Sequence, residues 1–207
     1  MRAYVLTSGG PDSATLAFDL AQDVDVSCIF INFGQPYLER ELEAARALSA
    51  RLKSPLIELA VPQLSDNFVD CGQFGYVILR EVIEATYGLA AAYVRMHGGN
   101  KLFHGTIAED IDDLPGFTEF FVQYQKAIRC LPNAANFELK TPYLETRKAD
   151  VFAIGRKLGV PFEATWSCLL PGEKHCGRCR ACRRRREAFM KIQLPDPTEY
   201  AANDESG

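Results

Sequence analysis

The chain contains no apolar run that approaches the length of a membrane span, so no membrane-spanning segment is expected. Its first residues enter a predicted strand at once and lack the layout of a secretory signal, which predicts a cytoplasmic protein. An excess of basic residues is also missing, because 23 Lys+Arg stand against 27 Asp+Glu for a formal net charge of −4. This balance argues against a large nucleic-acid interface.

Internal repeats are absent too, and the composition is that of an ordinary globular protein. The 207 residues are 47% hydrophobic and 24% charged, which suits one domain or one domain with a small appendage. The 7 cysteines are not expected to form a disulfide set, because cytosolic thiols stay reduced. Several of them cluster near the C-terminus, and this clustering indicates a bound metal.

The most informative segment is Ser8-Gly9-Gly10-Pro11-Asp12-Ser13, which lies between an apolar run and a helical pattern. A strand, a glycine turn and a helix together bind phosphate, because the N–H groups of the turn and of the helix N-terminus attract anions. Both serine hydroxyls can donate to phosphate oxygens. Asp12 is repelled by bare phosphate, so we expect it to act through a metal or as a helix cap. The segment is not a Walker A loop, because the Gly-Lys-Ser/Thr ending is missing. The alternative to a phosphate-binding role is a turn that only caps a helix.

The first 60 residues have the pattern β-α-β-α-β, which predicts a parallel sheet with right-handed crossovers. Ligands of such sheets bind at the carboxyl ends of the strands, where the glycine turn lies. The strands are predicted at 3–7, 24–33 and 56–60, and the helices at 14–21 and 38–52.

The rest of the chain is less regular. The segment 61–75 is predicted to be a loop over the site, and 107–116 an acidic turn. Helices are predicted at 77–96, 117–131 and 148–158, and a short strand at 101–104.

Four cysteines near the C-terminus have the spacing C-x7-C-x2-C-x2-C: Cys168, Cys176, Cys179 and Cys182. A Cys-x2-Cys turn brings two thiolates together, and four thiolates complete a closed, structural zinc site. An iron–sulfur cluster remains the alternative. The basic run 183–186 is expected to offset the thiolate charge or to form a solvated helix face. The three histidines, His97, His104 and His175, are interpreted as structural or solvated rather than as ligands.

The glycine turn resembles the SGGxDS signature of the PP-loop ATP pyrophosphatases, which cleave ATP between the α- and β-phosphates. Together with the block Thr165-Trp166-Ser167-Cys168 and the three later cysteines, it is similar to the 7-cyano-7-deazaguanine synthase family nearly end to end. This resemblance implies ATP-dependent adenylation of the carboxylate of 7-carboxy-7-deazaguanine. Ammonia or another amine would then give an amide, and a second activation a nitrile. It also implies Mg²⁺ and structural Zn²⁺.

The resemblance implies two sets of site residues. Phe33-Gly34-Gln35 matches the family's aromatic-Gly-Gln, and Thr141-Pro142 with Lys148-Ala149 matches its Thr-Pro…Lys-Ala segment. The expected ATP-binding residues are Ser8, Gly9, Gly10, Pro11, Asp12, Ser13 and Thr15. The expected catalytic or substrate residues are Asp12, Gln35, Arg80, Asp110 and Lys148.

The middle of the chain departs from the family pattern, and only Asp110 and Pro115 of the substrate motif persist. Three alternatives therefore stay open: a ligase that transfers the activated carboxylate to an amine of another molecule or protein, a tRNA-modifying PP-loop enzyme, or a non-catalytic nucleotide-binding adaptor. A homodimer and a protein acceptor are also left open.

The expected fold is of the nucleotide α-hydrolase type, a parallel five-stranded sheet with helices on both faces and a C-terminal zinc knuckle. We expect an ATP-binding domain at 1–160, a zinc-binding segment at 161–195 packed on it, and a flexible tail at 196–207.

Overall fold

The computed structural model describes residues 2–72, 75–78 and 81–201. Its elements alternate along the chain. The strands are β1 (Arg2–Leu6), β2 (Asp25–Asn32), β3 (Leu56–Ala60), β4 (Phe68–Asp70), β5 (Tyr76–Ile78), β6 (Lys101–Phe103) and β7 (Glu138–Lys140). The helices are α1 (Pro11–Leu20), α2 (Leu38–Arg51), α3 (Glu81–Met96), α4 (Ala108–Asp113), α5 (Phe117–Arg129), α6 (Lys148–Lys157) and α7 (Arg180–Lys191).

The main sheet has 5 strands in the order β3-β2-β1-β6-β7, and every neighbouring pair in it is parallel. The predicted parallel five-stranded sheet is therefore confirmed. Alternate residues of β1 supply the two faces: Val5 packs with α1 and α6, whereas Leu6 packs with α3. Because the chain changes faces between β3 and β6, the strand order reverses at the β1–β6 boundary, where doubly wound sheets bind ligands.

The region between β3 and α3 differs from its prediction as a loop followed by a helix from residue 77. It contains a 3₁₀ turn at Pro62–Asn67 and an antiparallel hairpin in which β4 pairs with β5. The helix begins only at Glu81. Strands as short as these are stabilised by hydrogen bonds to each other. They are also too short to show a clear alternation of apolar and polar residues in the sequence.

The acidic segment 107–116 also differs from prediction, because α4 occupies its centre. The Asp110 carboxylate accepts a hydrogen bond from the Ile107 backbone N–H at 3.1 Å, and this bond satisfies a free donor at the helix start.

The C-terminal segment shares its core with the rest of the chain. Phe162 stacks on Phe152 of α6, and Phe189 meets both rings edge to face in one aromatic cluster. Residues 196–201, predicted to belong to a flexible tail, instead pack on this segment. The Tyr200 ring lies 3.8 Å from the Arg186 guanidinium, and its hydroxyl donates to Asp196. Residues 202–207 lie outside the described residues.

Among the described residues, none of the helices combines the length and the hydropathy that crossing a bilayer requires.

Candidate active site

The segment 8–13, which is predicted to bind phosphate and is called here the phosphate-binding turn, connects β1 to α1. Gly10 caps α1 and Pro11 occupies the first turn, a position that needs no N–H donor. Gly9 has a φ of 74°, and a Cβ there would lie 2.4 Å from the Glu41 carbonyl oxygen. Only glycine fits this contact between the turn and α2. The free N–H groups at the start of α1 therefore remain available to an anion.

Hydrogen bonds within the turn fix its serines. The Ser13 hydroxyl donates to the Gly10 carbonyl oxygen at 3.1 Å, and the Ser8 backbone N–H donates to the Ser13 hydroxyl oxygen at 3.3 Å. Ser8, Gly10, Asp12 and Ser13 all line the cavity at the sheet edge that is described below. Gly9 and Pro11 shape the turn without lining that cleft.

Thr15 lies away from the turn's anion-binding face. Its side chain is fully buried at the contact between α1 and α6, where a Cβ on Gly155 would lie 2.5 Å from its hydroxyl oxygen. The expectation that Thr15 binds ATP is wrong for this geometry, because the side chain is enclosed by helix packing.

Asp12 and Lys148 form an ion pair, with Lys148 Nζ 2.5 Å from Asp12 Oδ2. The other carboxylate oxygen, Oδ1, is buried and has no hydrogen-bond partner among the described residues. An unpartnered buried carboxylate oxygen is costly unless a ligand satisfies it. Mg²⁺ prefers such oxygens beside substrate phosphates, so Asp12 fits the metal that the sequence predicts.

A cavity of about 320 Å³ opens at the carboxyl ends of β1, β2 and β6. Apolar side chains of β2 and β4 form one wall, and polar side chains converge on the other. The apolar lining includes Phe30, Ile31, Phe33 and Phe68. The polar lining includes Gln35, Glu41, Thr86, His104 and Asp110. Such a mixture is typical of a small-molecule site. Arg80, also expected here, lies outside the described residues.

Gln35, expected to be a catalytic or substrate residue, lines the cavity, but its side chain is engaged by the protein. Its Oε1 accepts from the Phe33 backbone N–H at 3.0 Å, and its Nε2 donates to Glu41 Oε2 at 2.9 Å. Burial raises the pKa of Glu41 to about 7, and the bond from Gln35 opposes this shift. Sequence reasoning missed Glu41, whose signal is an acid on the buried side of the amphipathic α2.

Asp110, expected to be a substrate residue, also lines the cavity. Burial raises the pKa of its carboxyl; the Ile107 N–H and the Lys148 charge lower it, whereas the Asp12 charge adds to the rise. The capping bond to Ile107 occupies Oδ2 only.

His104, interpreted from the sequence as structural or solvated, lines the same cavity. Its Nδ1 lies 2.6 Å from the Tyr87 hydroxyl and 2.5 Å from the Thr106 hydroxyl. Desolvation lowers the pKa of His104 to about 4, so the imidazole is neutral near pH 7. The signal that could have found it is its position directly after β6, at the ligand-binding edge of the sheet.

The four cysteine sulfurs of Cys168, Cys176, Cys179 and Cys182 lie within 4.8 Å of one another. A tetrahedral zinc site with bonds of about 2.3 Å places its sulfurs roughly 3.8 Å apart, and the Cys176 and Cys182 sulfurs are 3.9 Å apart. The donor set therefore fits a closed metal site. His175 is not among the ligands, because its Nε2 accepts from the Ser167 backbone N–H at 3.0 Å.

Trp166 joins the cysteine cluster to the phosphate-binding turn. Its backbone N–H donates to the Gly9 carbonyl oxygen at 2.9 Å, and its indole N–H donates to the Cys168 carbonyl oxygen at 3.0 Å. The two sequence motifs are therefore in direct contact.

The basic run on α7 is solvated only in part, because Arg183 and Arg186 are exposed whereas Arg184 is half-buried and Arg185 is buried. Arg184 binds Asp113 through both guanidinium nitrogens at 2.8 and 2.9 Å, and Arg180 pairs with the same carboxylate. Arg185 is fully buried and donates to the Phe162 carbonyl oxygen at 2.7 Å. These arginines hold α7 against α4 and the core.

Two solved structures share this architecture. U34-tRNA thiolase NcsA from Methanococcus maripaludis, solved with its [4Fe-4S] cluster, has a TM-score of 0.53 at 14% identity, covering 92% of this chain and 66% of that one. NMN synthetase from Francisella tularensis has a TM-score of 0.52 at 14% identity, covering 97% and 79%. At such identities the likeness concerns the fold alone, which is that of the PP-loop class.

The sequence comparisons identify the branch of this class. The family model described as queuosine biosynthesis protein QueC matches residues 2–193. The 7-cyano-7-deazaguanine synthase of Caldicellulosiruptor bescii is 35% identical, covering 97% of both chains. That of Rhizobium johnstonii is 34% identical, covering 99% of this chain and 94% of the relative. The chain belongs to the QueC family.

Proposed function

We propose that this chain is an ATP-dependent 7-cyano-7-deazaguanine synthase that works in the cytoplasm. Its substrate is 7-carboxy-7-deazaguanine, and its nitrogen source is ammonia. The observation that carries the proposal is the Asp12–Lys148 pair, whose unpartnered carboxylate oxygen lies beside the phosphate-binding turn. In a turn that only caps a helix, the unpartnered Asp12 Oδ1 would have no function.

The turn supplies the groups that an ATP phosphate chain requires. The free N–H groups at the start of α1 and the hydroxyls of Ser8 and Ser13 donate to phosphate oxygens, and Lys148 contributes positive charge. Asp12 Oδ1 would hold Mg²⁺, which offsets the charge of the departing pyrophosphate. The apolar wall formed by Phe30 and Phe33 accommodates a flat purine ring.

The reaction has two activations. The substrate carboxylate oxygen attacks the α-phosphorus, and the bond to pyrophosphate breaks. The ammonia nitrogen then attacks the carboxyl carbon; AMP leaves with its oxygen, and the amide remains. The amide oxygen attacks a second ATP, again with loss of pyrophosphate. Loss of AMP and of both amide protons then forms the nitrile. The protein positions the reacting groups in line for each step.

Asp110 is proposed to bind the guanine-like edge of the substrate, with Gln35 fixing the cavity wall and Arg80 adding charge, as the family resemblance implies. Zn²⁺ is proposed for the four cysteines, where a closed shell serves structure rather than chemistry. The pairing of Arg180 and Arg184 with Asp113 removes charge that a nucleic acid would need, and this supports a small-molecule substrate.

The proposal is tested by incubating the protein with ATP, Mg²⁺ and 7-carboxy-7-deazaguanine, with and without ammonia, followed by mass spectrometry. We expect pyrophosphate and the adenylated carboxylate without ammonia, and AMP, amide and then nitrile only when ammonia is present. Release of ADP and phosphate without AMP would overturn the assignment. Because the middle substrate motif departs from the family pattern, a second reaction replaces ammonia with a primary amine. A conjugate formed only with that amine would favour the ligase alternative.

A further inference from the structure

The hydroxyls of Tyr87 and Thr106 both lie against the same nitrogen of His104. Tyr87 comes from α3 and is 1% exposed, and Thr106 comes from the turn after β6 and is also 1% exposed. The Tyr87 and His104 rings meet edge to face, with centroids 5.2 Å apart. The imidazole is therefore held by two separate elements, and its orientation is fixed.

This arrangement bears on the position of the imidazole proton. The Tyr87 hydroxyl lies 2.6 Å from Nδ1, and a buried phenol needs an acceptor for its proton. We assign Nδ1 as that acceptor, which places the proton of the neutral ring on Nε2. Burial lowers the pKa of His104 to about 4, which agrees with a neutral ring.

His104 lines the cavity, and we place its Nε2 edge toward that space. Nε2 has no hydrogen-bond partner among the described residues, and it is not one of the buried atoms that lack a partner. Asp110 lies in the first turn of α4, six residues further along the chain, and its charge acts on Tyr87. The cavity thus has a neutral donor, from His104, and an acceptor, from Asp110, on one wall.

We propose that His104 is a specificity-determining residue that donates an Nε2–H hydrogen bond to the six-position carbonyl oxygen of the deazaguanine ring. The inference rests on the proposed function. A guanine edge presents, in order, a carbonyl acceptor, a ring N–H donor and an amino donor. His104 and Asp110 present the complementary donor and acceptors. An adenine edge has a donor amino group at the same position, so it would face the His104 donor with a second donor.

The experiment compares 7-carboxy-7-deazaguanine with its 6-thio analogue, which keeps the ring N–H and the amino group but offers a weakly accepting sulfur. For the wild type, we expect kcat/KM for AMP release to be about tenfold higher with the oxo substrate than with the thio analogue. This ratio corresponds to the loss of one hydrogen bond of about 1.4 kcal/mol. His104→Phe keeps an aromatic ring and removes the donor, so the preference should fall to about one- to twofold. KM for ATP should stay unchanged.

Tyr87→Phe tests the positioning of the ring without removing the donor itself. It should reduce the oxo preference, because both imidazole tautomers become available, while retaining AMP release. His97→Phe is the matched control, since His97 is exposed, stacks on Tyr93 and does not line the cavity. It should leave the preference at the wild-type value.

Two failures can be told apart. If the wild type releases no AMP with the oxo substrate, the proposed function fails, and the inference fails with it. If the wild type is active but His104→Phe reduces the use of both substrates equally, the inference alone is overturned. Circular dichroism and thermal unfolding of each variant establish that the comparison is made on folded protein.

Discussion

Lys148 Nζ contacts Asp12 Oδ2 at 2.5 Å across 136 positions of sequence, which ties the first turn of α6 to the first turn of α1. The side chains are 14% and 22% exposed, so the pair is shielded more than a typical surface salt bridge. The pairing keeps Lys148 beside the turn that is proposed to bind phosphate. It also leaves Asp12 Oδ1 as the free ligand atom, on which the first prediction depends.

Asp12→Ala should abolish formation of AMP and pyrophosphate and leave the fold intact. The carboxylate acts on the metal–phosphate cluster from a turn, and its removal leaves the hydrophobic clusters of the sheet untouched. Pyrophosphate release and far-UV circular dichroism check the two parts. Asp150→Ala, at an exposed position on α6, is the control and should keep activity. AMP formation at the wild-type rate in Asp12→Ala would refute the role given to this carboxylate.

Cys176→Ser should release the bound metal and destabilise the C-terminal segment strongly. Binding and folding of four-thiolate zinc sites are coupled by on the order of 10 kcal/mol. Elemental analysis should find one zinc per wild-type chain, and thermal unfolding should report the loss in the variant. Cys130→Ser, at an exposed cysteine outside the cluster, should change neither measurement. Iron with acid-labile sulfide in the wild type would contradict the zinc prediction.

Asp110→Asn should lower kcat/KM for the deazaguanine carboxylate by roughly tenfold, with KM for ATP little changed. A carboxylate accepts from both the ring N–H and the amino group, whereas an amide presents a donor to one of them. The amide oxygen can still accept from the Ile107 N–H, so α4 should keep its cap. Steady-state kinetics with each substrate varied will separate the two effects. Asp112→Asn, whose carboxylate pairs with Arg147 at the surface, is the control. Unchanged kinetics in Asp110→Asn would mean that the base is bound elsewhere.

Glu41→Gln should change how stability depends on pH. Burial raises the pKa of Glu41 from 4.5 to about 7, so the folded protein retains a proton that the unfolded chain releases. The stability contributed by this proton is complete below the unfolded pKa and is lost as pH rises through the folded one. Relative to Glu41→Gln, the wild type should therefore lose roughly 1–3 kcal/mol of unfolding free energy between about pH 5 and about pH 8.

Denaturant unfolding at both pH values measures this difference. Glu43→Gln is the control, because Glu43 is 68% exposed and pairs with Arg40 on the surface. A constant difference between wild type and Glu41→Gln would show that the Glu41 carboxyl ionises normally in the folded protein.

The sequence predicted the elements whose periodicity is strong and local. The first three strands and the amphipathic α2 lie within a few residues of their predicted limits, because continuous apolar runs and a heptad-like stripe reveal burial directly. The hairpin of β4 and β5 was missed, since neither strand is stable without the other. The buried Arg185 was missed as well: a run of arginines indicates charge, and only the tertiary contacts with Thr165 and Phe162 show that one of them is inside.

The residues of the candidate site also differ in how well the sequence predicts them. The phosphate-binding turn and the four cysteines are motifs in which the residues have a characteristic spacing, so both could be located from the sequence alone. Glu41 and His104 belong to no motif with a characteristic spacing. Their place in the site depends on hydrogen bonds to residues of other elements, Gln35 for Glu41 and Tyr87 for His104. Thr15 shows the opposite error, since its closeness in sequence to the turn conceals a side chain that faces α6.

Trp166 is the one tryptophan in the chain, and it contacts both the phosphate-binding turn and the cysteine segment. The protein therefore contains a single indole fluorophore, which contacts both motifs. Its backbone N–H is bonded to the turn that nucleotide would order, and its indole N–H is bonded to the carbonyl of a metal ligand. Occupancy of either motif should alter the environment of the same ring. A titration with ATP and a titration with a chelator can thus be followed in one emission spectrum without any added label.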